Sequence, residues 1–289
     1  MASKFDVVFI QREACFLGTT YFERRFKRSG AKMVYDFDDA IWLMNVSDAN
    51  KKFGWLKRPT KTAEIIAISD LIIAGNTYLA DFARTYNSEI LTIPTSVDTE
   101  RFKKIISSKT KDPICIGWTG SQTTIKHFRL AIPFLTELKK KYGDKIYFKV
   151  IGDVAYSNKE LGIQGLPWNK DSEIEDLSEL DIGIMPLPND AWSQGKCGFK
   201  CIEYMALCIP PVISPVGVNS EIVGDGKNGF IADSTVEWVE KISRLIESPE
   251  LRREMGEKAR QTVIEKYSVL AHRDTYVSLF NKLLPSTLQ

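Results

Sequence analysis

A group of charged and small residues precedes a hydrophobic strand in the second half of the chain. Residues 195–214 read GKCGFKCIEYMALCIPPVIS and place Lys196, Gly198, Lys200 and Glu203 around the start of a predicted helix. A helix N-terminus has unpaired N–H groups and a positive dipole end, so it favours phosphate. Glycine allows close approach to the backbone, and the lysines add full charges. Glu203, one turn further on, is spaced to accept ribose hydroxyls. The alternative is a surface helix with solvated lysines.

A second strand-to-helix turn follows the same logic. Residues 117–126 read GWTGSQTTIK, with Gly120 and Ser121 in the turn and Lys126 near the helix start. Backbone N–H groups and hydroxyls at this position would also face an anion. Alternatively, the serine and threonines only cap the helix.

Three carboxylates end a predicted strand in the first half of the chain. The segment YDFDDAIW, residues 35–42, contains Asp36, Asp38 and Asp39. In parallel α/β sheets, ligands bind at the carboxyl ends of the strands. Asp36 and Asp38 have the spacing of a metal-binding pair, but two carboxylates need a further ligand such as phosphate. The alternative is a capped loop, in which aspartate is common.

Short apolar runs alternate with helical patterns, which predicts an α/β fold with parallel sheets. Asn76 is expected to cap a helix at 77–86, and Pro133 to bend a long helix at 123–142 or set its start. The predicted strands are 5–10, 32–36, 71–75, 89–94, 114–118, 145–152, 181–187, 210–214 and 229–232. The other predicted helices are 19–28, 62–69, 198–207, 234–247, 249–266 and 269–284.

A polar, charged segment interrupts this alternation and predicts a domain boundary. We therefore predict a first domain at 1–98, a linker at 99–112, a second domain at 113–267 and a final helical segment at 268–289. The first domain has only about four strands, and no glycine-rich turn follows its first strand.

The composition excludes several classes of protein. The net charge of the 289 residues is +2, which gives no push toward nucleic acid. No apolar run reaches the ~20 residues of a membrane span, and the N-terminal residues do not have the pattern of a signal peptide. The five cysteines form no Cys-x-x-Cys pair, and with two histidines a zinc site is not expected. Free thiols predict a reducing cytoplasm.

Together these stretches resemble the family four glycosyltransferases, which have the two-domain GT-B fold. The similarity rests on YDFDDAIW, on GWTGSQTTIKHF (117–128) and on the block 181–232, beginning DIGIMPLPND, and it extends over nearly the whole chain. It implies two Rossmann-like domains and the retaining transfer of a sugar from a nucleoside-diphosphate sugar. It implies no obligatory metal and no other cofactor.

The resemblance also implies roles for individual residues. Lys200, with Lys126 or Lys196, would hold the diphosphate, Glu203 would hold the ribose, and the helix at 268–289 would cross back to the first domain. The implied nucleotide-sugar site comprises Gly120, Ser121, Lys126, Lys196, Gly198, Phe199, Lys200 and Glu203.

The sequence departs from the family pattern at several positions. Of two glutamates that the family spaces eight positions apart, the first falls on Gly195. The dipeptide at 118–119 replaces an arginine. The family often has a histidine beside the reacting sugar, but none precedes His127 here. Asp38 or Asp39 lies nearest that position, so we predict that one of them substitutes.

The resemblance further predicts that the first domain is incomplete, because the family has strands and a glycine-bearing loop upstream of the segment at 5–10. We therefore expect a competent nucleotide site and an incomplete acceptor site. The acceptor expected from the resemblance is a glycan or a lipid-linked glycan in cell-surface polysaccharide synthesis.

Two basic-aromatic stretches, 21–28 and 51–61, would suit an anionic membrane surface, which would place the protein at the inner face of the membrane. The alternative is a solvated helix face and loop. A competing interpretation is a non-catalytic nucleotide-binding or partner protein, derived from a glycosyltransferase by loss of N-terminal elements. A nucleotide-sugar epimerase is another, which the shortage of histidine disfavours.

Overall fold

The first part of the chain alternates strands and helices as the sequence predicts. The structure is a computed structural model that describes residues 4–43, 58–103 and 113–284. Its first elements are β1 (Val7–Gln11), α1 (Tyr21–Arg28), β2 (Lys32–Phe37), α2 (Thr60–Ile68), β3 (Leu71–Ala74), α3 (Thr77–Arg84) and β4 (Ile90–Thr92).

The second part continues the alternation and ends in three longer helices. Two 3₁₀ turns, Arg129–Ala131 and Gly143–Lys145, flank α5. The elements are β5 (Ile114–Thr119), α4 (Ile125–Phe128), α5 (Ile132–Tyr142), β6 (Ile146–Ile151), β7 (Ser157–Asn158), β8 (Ile163–Gln164), α6 (Glu173–Ser178), β9 (Ile182–Met185), α7 (Ala191–Gln194), α8 (Phe199–Ala206), β10 (Pro211–Ile213), α9 (Asn219–Ile222), β11 (Phe230–Ile231), α10 (Thr235–Glu247), α11 (Pro249–Lys266) and α12 (Val269–Leu283).

The chain divides into two compact units. The first unit comprises Met1–Thr95, Asp190–Cys197 and His272–Gln289, and the second comprises Ser96–Asn189 and Gly198–Ala271. Asp190–Cys197, which lies inside the segment predicted as the second domain, thus packs with the first unit. The domain boundaries at 98, 112 and 267 stay predictions.

The first unit is built on a parallel sheet with strand order β1-β2-β3-β4. Its strands are apolar because both faces are covered. On one face Tyr35, Phe37 and Ile65 belong to a buried cluster, and on the other Leu279 of α12 packs with Ile73. Asp36 lies near the carboxyl end of β2, and Asp38 and Asp39 follow in the acidic turn after this strand.

The second unit is built on a parallel sheet with strand order β11-β10-β9-β5-β6. Its two faces bury separate clusters: Trp118, Phe134 and Trp238 lie in one, and Tyr204 and Met205 of α8 lie in the other. The loops after β5 and β6 and the start of α8 therefore meet at the carboxyl edge of this sheet.

Local sequence signals account for several element ends. The Asn76 side chain accepts a hydrogen bond from Leu79 N at 2.8 Å, which confirms the predicted cap. Pro133 lies in the first turn of α5, so it sets the start of that helix, and the predicted helix at 123–142 is interrupted at Arg129–Ala131. The short elements α6, α7, α9, β7 and β8 were not predicted, because two to six residues give too little periodicity.

Some predictions lie outside the described residues. Residues 51–57 of the second basic-aromatic stretch and residues 104–112 of the predicted linker belong to these segments. Within the described part of the chain, every helix is too short or too polar to cross a membrane.

Candidate functional site

A cavity of about 680 Å³ lies at the carboxyl edge of the sheet in the second unit. This volume is within the range of small-ligand sites. Five of the residues predicted for nucleotide-sugar binding line it together: Gly120, Ser121, Phe199, Lys200 and Glu203. The remaining wall comes from Thr119, Gln122, Thr123, Thr124, Gly152, Val154, Pro167, Trp168 and Glu173.

Glu203 is the buried carboxyl of this cavity. It lies in the second turn of α8 and is 4% exposed. Burial raises its pKa to about 8, and Glu173 adds to the shift, whereas Lys200 and Arg101 oppose it. Glu203 thus places a carboxyl in the wall of the cavity, where it can hydrogen-bond a polar ligand.

Lys200 lies three residues before Glu203, so both side chains project from one face of α8. Its ammonium nitrogen lies 5.9 Å from the centroid of the buried Trp118 ring, within the range of a cation–π contact. Phe199, the residue before it, is 46% exposed at the mouth of the cavity. The first two turns of α8 thus supply a cation, a carboxyl and an aromatic ring to one cavity.

The backbone at the start of α8 requires glycine. Gly198 has φ +69°, a left-handed conformation, and an added Cβ would lie 2.2 Å from Ile222 Cδ1. As a glycine, the N-cap residue Gly198 has no side chain with which to cap this helix end. The N–H groups of its first turn, with the positive end of the helix dipole, are therefore available to an anion.

The turn after β5 uses part of its polar capacity internally. Ser121 N donates to Thr124 Oγ1 at 2.9 Å, and Gly120 N donates to Ile151 O at 2.9 Å. These two N–H groups close the turn. Thr124, the N-cap residue of α4, makes no side-chain capping hydrogen bond to that helix, so the capping that the alternative expects is not observed there. The hydroxyls of Ser121 and Thr123, 2.9 Å apart, line the cavity.

A fixed carboxylate that no sequence motif indicates forms another part of the wall. Glu173 is 8% exposed; its Oε2 accepts a hydrogen bond from Arg101 at 2.8 Å, and its Oε1 accepts one from Trp168 Nε1 at 2.8 Å. These contacts hold Trp168, which is 49% exposed, beside the cavity. No local motif indicates Glu173, because its partner Arg101 lies 72 positions away in the sequence.

Two predicted lysines do not line this cavity. Lys126 is exposed on α4 and is not among the lining residues. Lys196 belongs to the first unit, where its Nζ lies 2.7 Å from Asp39 Oδ1. Lys200 is the predicted lysine that lies in the cavity wall.

The acidic turn after β2 forms a separate charged cluster in the first unit. Asp39 Oδ2 accepts a hydrogen bond from Arg12 at 2.9 Å, so both of its oxygens are engaged by cations. Burial, followed by repulsion from Asp39, raises the pKa of Asp38. Asp38 Oδ1 is buried and accepts no hydrogen bond within the described chain. Burial likewise raises the pKa of Asp36 to about 6, with Asp38 adding to the effect.

Gly195 and Cys197, which precede α8, both contact the acidic turn after β2. An added Cβ at Gly195 would lie 2.6 Å from Ala40 Cβ, so no larger side chain fits there. Cys197 Sγ donates to Asp38 O at 3.2 Å, and burial raises the pKa of this thiol to about 12. Cys197 is therefore a packing residue and not a reactive thiol. In the described part of the chain, no three histidine, cysteine, aspartate or glutamate side chains come together as a metal site.

Solved structures with low sequence identity share this architecture. A glycosyltransferase from Rickettsia africae matches 97% of this chain and 77% of its own, with 17% identity and a TM-score of 0.70. Anabaena Alr3699/HepE, solved in complex with UDP and glucose, matches 97% of this chain and 78% of its own, with 14% identity and a TM-score of 0.71. These likenesses confirm the predicted α/β fold class of GT-B type.

Curated relatives match parts of the chain. A Xenopus tropicalis protein named glycosyltransferase 1 domain-containing protein 1 is 27% identical over 160 residues, which are 52% of this chain and 46% of that protein. The poly(ribitol-phosphate) alpha-N-acetylglucosaminyltransferase of Staphylococcus aureus is 32% identical over 87 residues, 29% of this chain and 18% of that protein. The chain thus spans less than half the length of these relatives.

A family model matches most of the second unit, including all residues that line its cavity. The model described as glycosyl transferases group 1 matches residues 98–262, more than half of the 289 residues. The matched segment contains Lys200 and Glu203. The chain belongs to the glycosyl transferases group 1 family.

Proposed function

We propose that this chain transfers a sugar from a nucleoside-diphosphate sugar to an acceptor, with retention of anomeric configuration. The donor binds in the cavity of the second unit. Lys200 and the N-terminus of α8 hold the diphosphate, and Glu203 accepts the ribose hydroxyls. Family membership supports the reaction class, and the resemblance to family four supports retention.

The observation that carries the proposal is the pairing of Lys200 and Glu203 in the wall of one cavity. A cation in the first turn and a carboxyl in the second match the charged and the hydroxyl-bearing parts of a nucleoside diphosphate. Because Gly198 leaves the backbone open, phosphate oxygens can approach the N–H groups of α8 closely.

The proposed mechanism relies on electrostatics. When the anomeric C–O bond breaks, negative charge develops on the departing diphosphate. Lys200 and the dipole of α8 stabilise that charge, an effect of several kcal/mol in comparable sites. A phosphate oxygen of the leaving group can take the proton of the acceptor hydroxyl. No histidine is needed for such a step.

Asp38 and Asp39 are proposed as the carboxylates that lie beside the reacting sugar, in place of the family's histidine. Asp38 is the better candidate, because its Oδ1 accepts no hydrogen bond within the described residues. Both oxygens of Asp39 are already held, by Lys196 and Arg12. Asp39 therefore suits a positioning role.

The uridine diphosphate sugars are the first donors to test, because the Anabaena neighbour was solved with UDP and with UDP-glucose. A Staphylococcus aureus TarM mutant was solved in complex with fondaparinux and alpha-GlcNAc-glycerol, which supports a glycan or lipid-linked glycan as the acceptor. All five cysteines are free, which suits the cytoplasm as the compartment of this reaction.

Calorimetric titration with UDP, GDP, ADP and CMP tests the donor site. We expect one diphosphate to bind selectively and Lys200→Ala to lose that binding. Turnover assays with the corresponding sugar nucleotides then test transfer, and NMR of the product tests retention. Absence of binding by all four nucleotides would contradict the proposed site.

One observation favours a second candidate, a nucleotide-binding protein without transferase activity. Gly195 occupies the position of the first family glutamate, and Ala40 leaves no space for a side chain there. Selective nucleotide binding without turnover of any sugar nucleotide would support this alternative.

A further inference from the structure

An exposed apolar surface lies on the first unit, before and at the start of α1. Phe16 is 87% exposed and Leu17 is 52% exposed, while Tyr21 and Phe22 are 55% and 41% exposed. Single exposed hydrophobic residues are ordinary. These four lie within one short segment, residues 16–22, and the rings of Tyr21 and Phe22 contact each other edge to face with centroids 5.4 Å apart.

The same segment continues into a strongly cationic helix. The only acidic residue within α1 is Glu23, which is fully buried. Its Oε1 lies 3.6 Å from Nζ of the buried Lys61. The exposed cations of the helix are Arg24, Arg25, Lys27 and Arg28. Because its carboxylate is turned inward, the exposed face of α1 carries positive charge alone.

The four cations of α1 differ in whether a carboxylate pairs with them. Arg24 Nη2 lies 3.4 Å from Glu64 Oε2, and Lys27 Nζ lies 2.7 Å from Asp70 Oδ2. Within the described chain, Arg25 and Arg28 have no carboxylate partner. They are therefore the cations on this face whose charge is not offset by an ion pair.

We propose that residues 16–28 form a docking surface for a bilayer rich in anionic phospholipid. Phe16, Leu17 and the aromatic residues Tyr21 and Phe22 enter the boundary between headgroups and acyl chains. Arg25 and Arg28 bind the anionic headgroups. A nucleic acid would match the arginines but would leave Leu17 and the other apolar side chains without a partner, so the bilayer is the occupant that this surface fits.

A cavity of about 400 Å³ adjoins this surface, and Phe16 and Gly18 form part of its wall. Its cations Arg58 and Lys61 already pair with Glu64 and Glu13, so the cations that remain for a headgroup are those of α1. The docking proposal is independent of sugar transfer, so either can fail without the other.

Vesicle flotation of the full chain tests this proposal. The probes are vesicles of phosphatidylcholine alone and vesicles with an added anionic fraction of phosphatidylglycerol, each at low and high salt. We expect binding to the anionic vesicles that weakens with salt. Arg25→Glu/Arg28→Glu should lower the partition coefficient at least tenfold, because each basic residue near the surface contributes about a fivefold effect. The matched control is Lys140→Glu/Lys258→Glu, which makes the same charge change at exposed positions of the second unit and should bind like wild type.

A second variant separates the apolar contribution. Phe16→Ser/Leu17→Ser keeps all charges and should also weaken binding, while thermal unfolding followed by circular dichroism shows that each variant folds. Equal binding of the reversal variant and its control would overturn the proposal. So would equal binding to both kinds of vesicle, or retention on a nucleic-acid column without binding to anionic vesicles.

Discussion

Lys196 Nζ lies 2.7 Å from Asp39 Oδ1, although 157 positions separate the two residues. Arg12 holds the other oxygen of Asp39 at 2.9 Å. The contact joins the segment before α8 to the acidic turn after β2 within the first unit. Lys196, which the sequence suggested as a phosphate ligand, therefore has a stabilising partner of its own.

Replacing Lys196 with methionine should lower the free energy of unfolding by about 1–2 kcal/mol, because Asp39 loses a charged hydrogen bond in a largely buried position. Urea unfolding measures the change. Asp39→Asn and the double variant complete a cycle, for which we expect a coupling of about 0.5–2 kcal/mol. The control is Lys140→Met at an exposed position on α5. A cost for Lys196→Met no larger than that of the control would contradict the role of this ion pair.

Lys200→Ala should weaken binding of the nucleoside diphosphate by about 1–3 kcal/mol, roughly 5- to 150-fold in Kd. The reason is that Lys200 is the predicted lysine in the wall of the cavity. Lys126→Ala is the matched control, because Lys126 is exposed and is absent from that wall. Calorimetry with wild type, Lys200→Ala and Lys126→Ala compares their Kd values for the nucleoside diphosphate. A larger loss for Lys126→Ala than for Lys200→Ala would move the phosphate site to α4.

Gly198→Ala should destabilise the protein and weaken diphosphate binding. The left-handed backbone costs about 1 kcal/mol for alanine, and the added methyl would meet Ile222 Cδ1. Gly162→Ala separates the two effects, because Gly162 has φ +66° with nothing within 4 Å of its added Cβ. We expect the smaller cost for Gly162→Ala, with unchanged affinity, and partial recovery of stability in Gly198→Ala/Ile222→Val. Equal costs at both glycines would show that the contact with Ile222 relaxes freely.

Local rules explain what the sequence could predict. Asn76 caps α3 because its side chain reaches an N–H group three residues away. Lys200 and Glu203 share a face because helical spacing places them there. The carboxyl edge of a parallel sheet is also predictable as a binding edge, since it follows from the strand–helix alternation.

The remaining parts of the candidate site depend on contacts between distant segments. The pairs Lys196–Asp39 and Arg101–Glu173 join residues 157 and 72 positions apart. No motif spans such distances, so the local pattern predicts Lys196 as a phosphate ligand without showing its ion pair with Asp39, and it does not indicate Glu173 at all. The burial that raises the pKa of Glu203 also depends on how α8 packs on its sheet, which residue spacing does not specify.

The raised pKa of Glu203 predicts a pH dependence of stability. Its folded-state pKa is about 8, against an ordinary value of 4.5, and burial is the main cause. The folded state therefore holds this proton more tightly than the unfolded state. The stability that this tightly held proton contributes to the folded state is fully present below about pH 4.5. It is lost as the pH rises to about 8. Glu203→Gln removes the titration, so the variant should gain stability relative to wild type across this range, by a few kcal/mol at about 1.4 kcal/mol per pKa unit.

Urea unfolding of wild type and Glu203→Gln from pH 5 to pH 9 checks this prediction, with Glu254→Gln at an exposed position of α11 as the control. Parallel curves for wild type and Glu203→Gln would show that the carboxyl does not titrate in this range.

Ligand binding offers an independent readout of the protonation of Glu203. Ribose hydroxyls that donate to Glu203 favour its deprotonated form, so a nucleoside diphosphate should release protons on binding at pH 7. Inorganic pyrophosphate lacks the ribose and should release fewer. Calorimetry in two buffers of different ionisation enthalpy counts these protons, and equal release for both ligands would remove Glu203 from the ribose site.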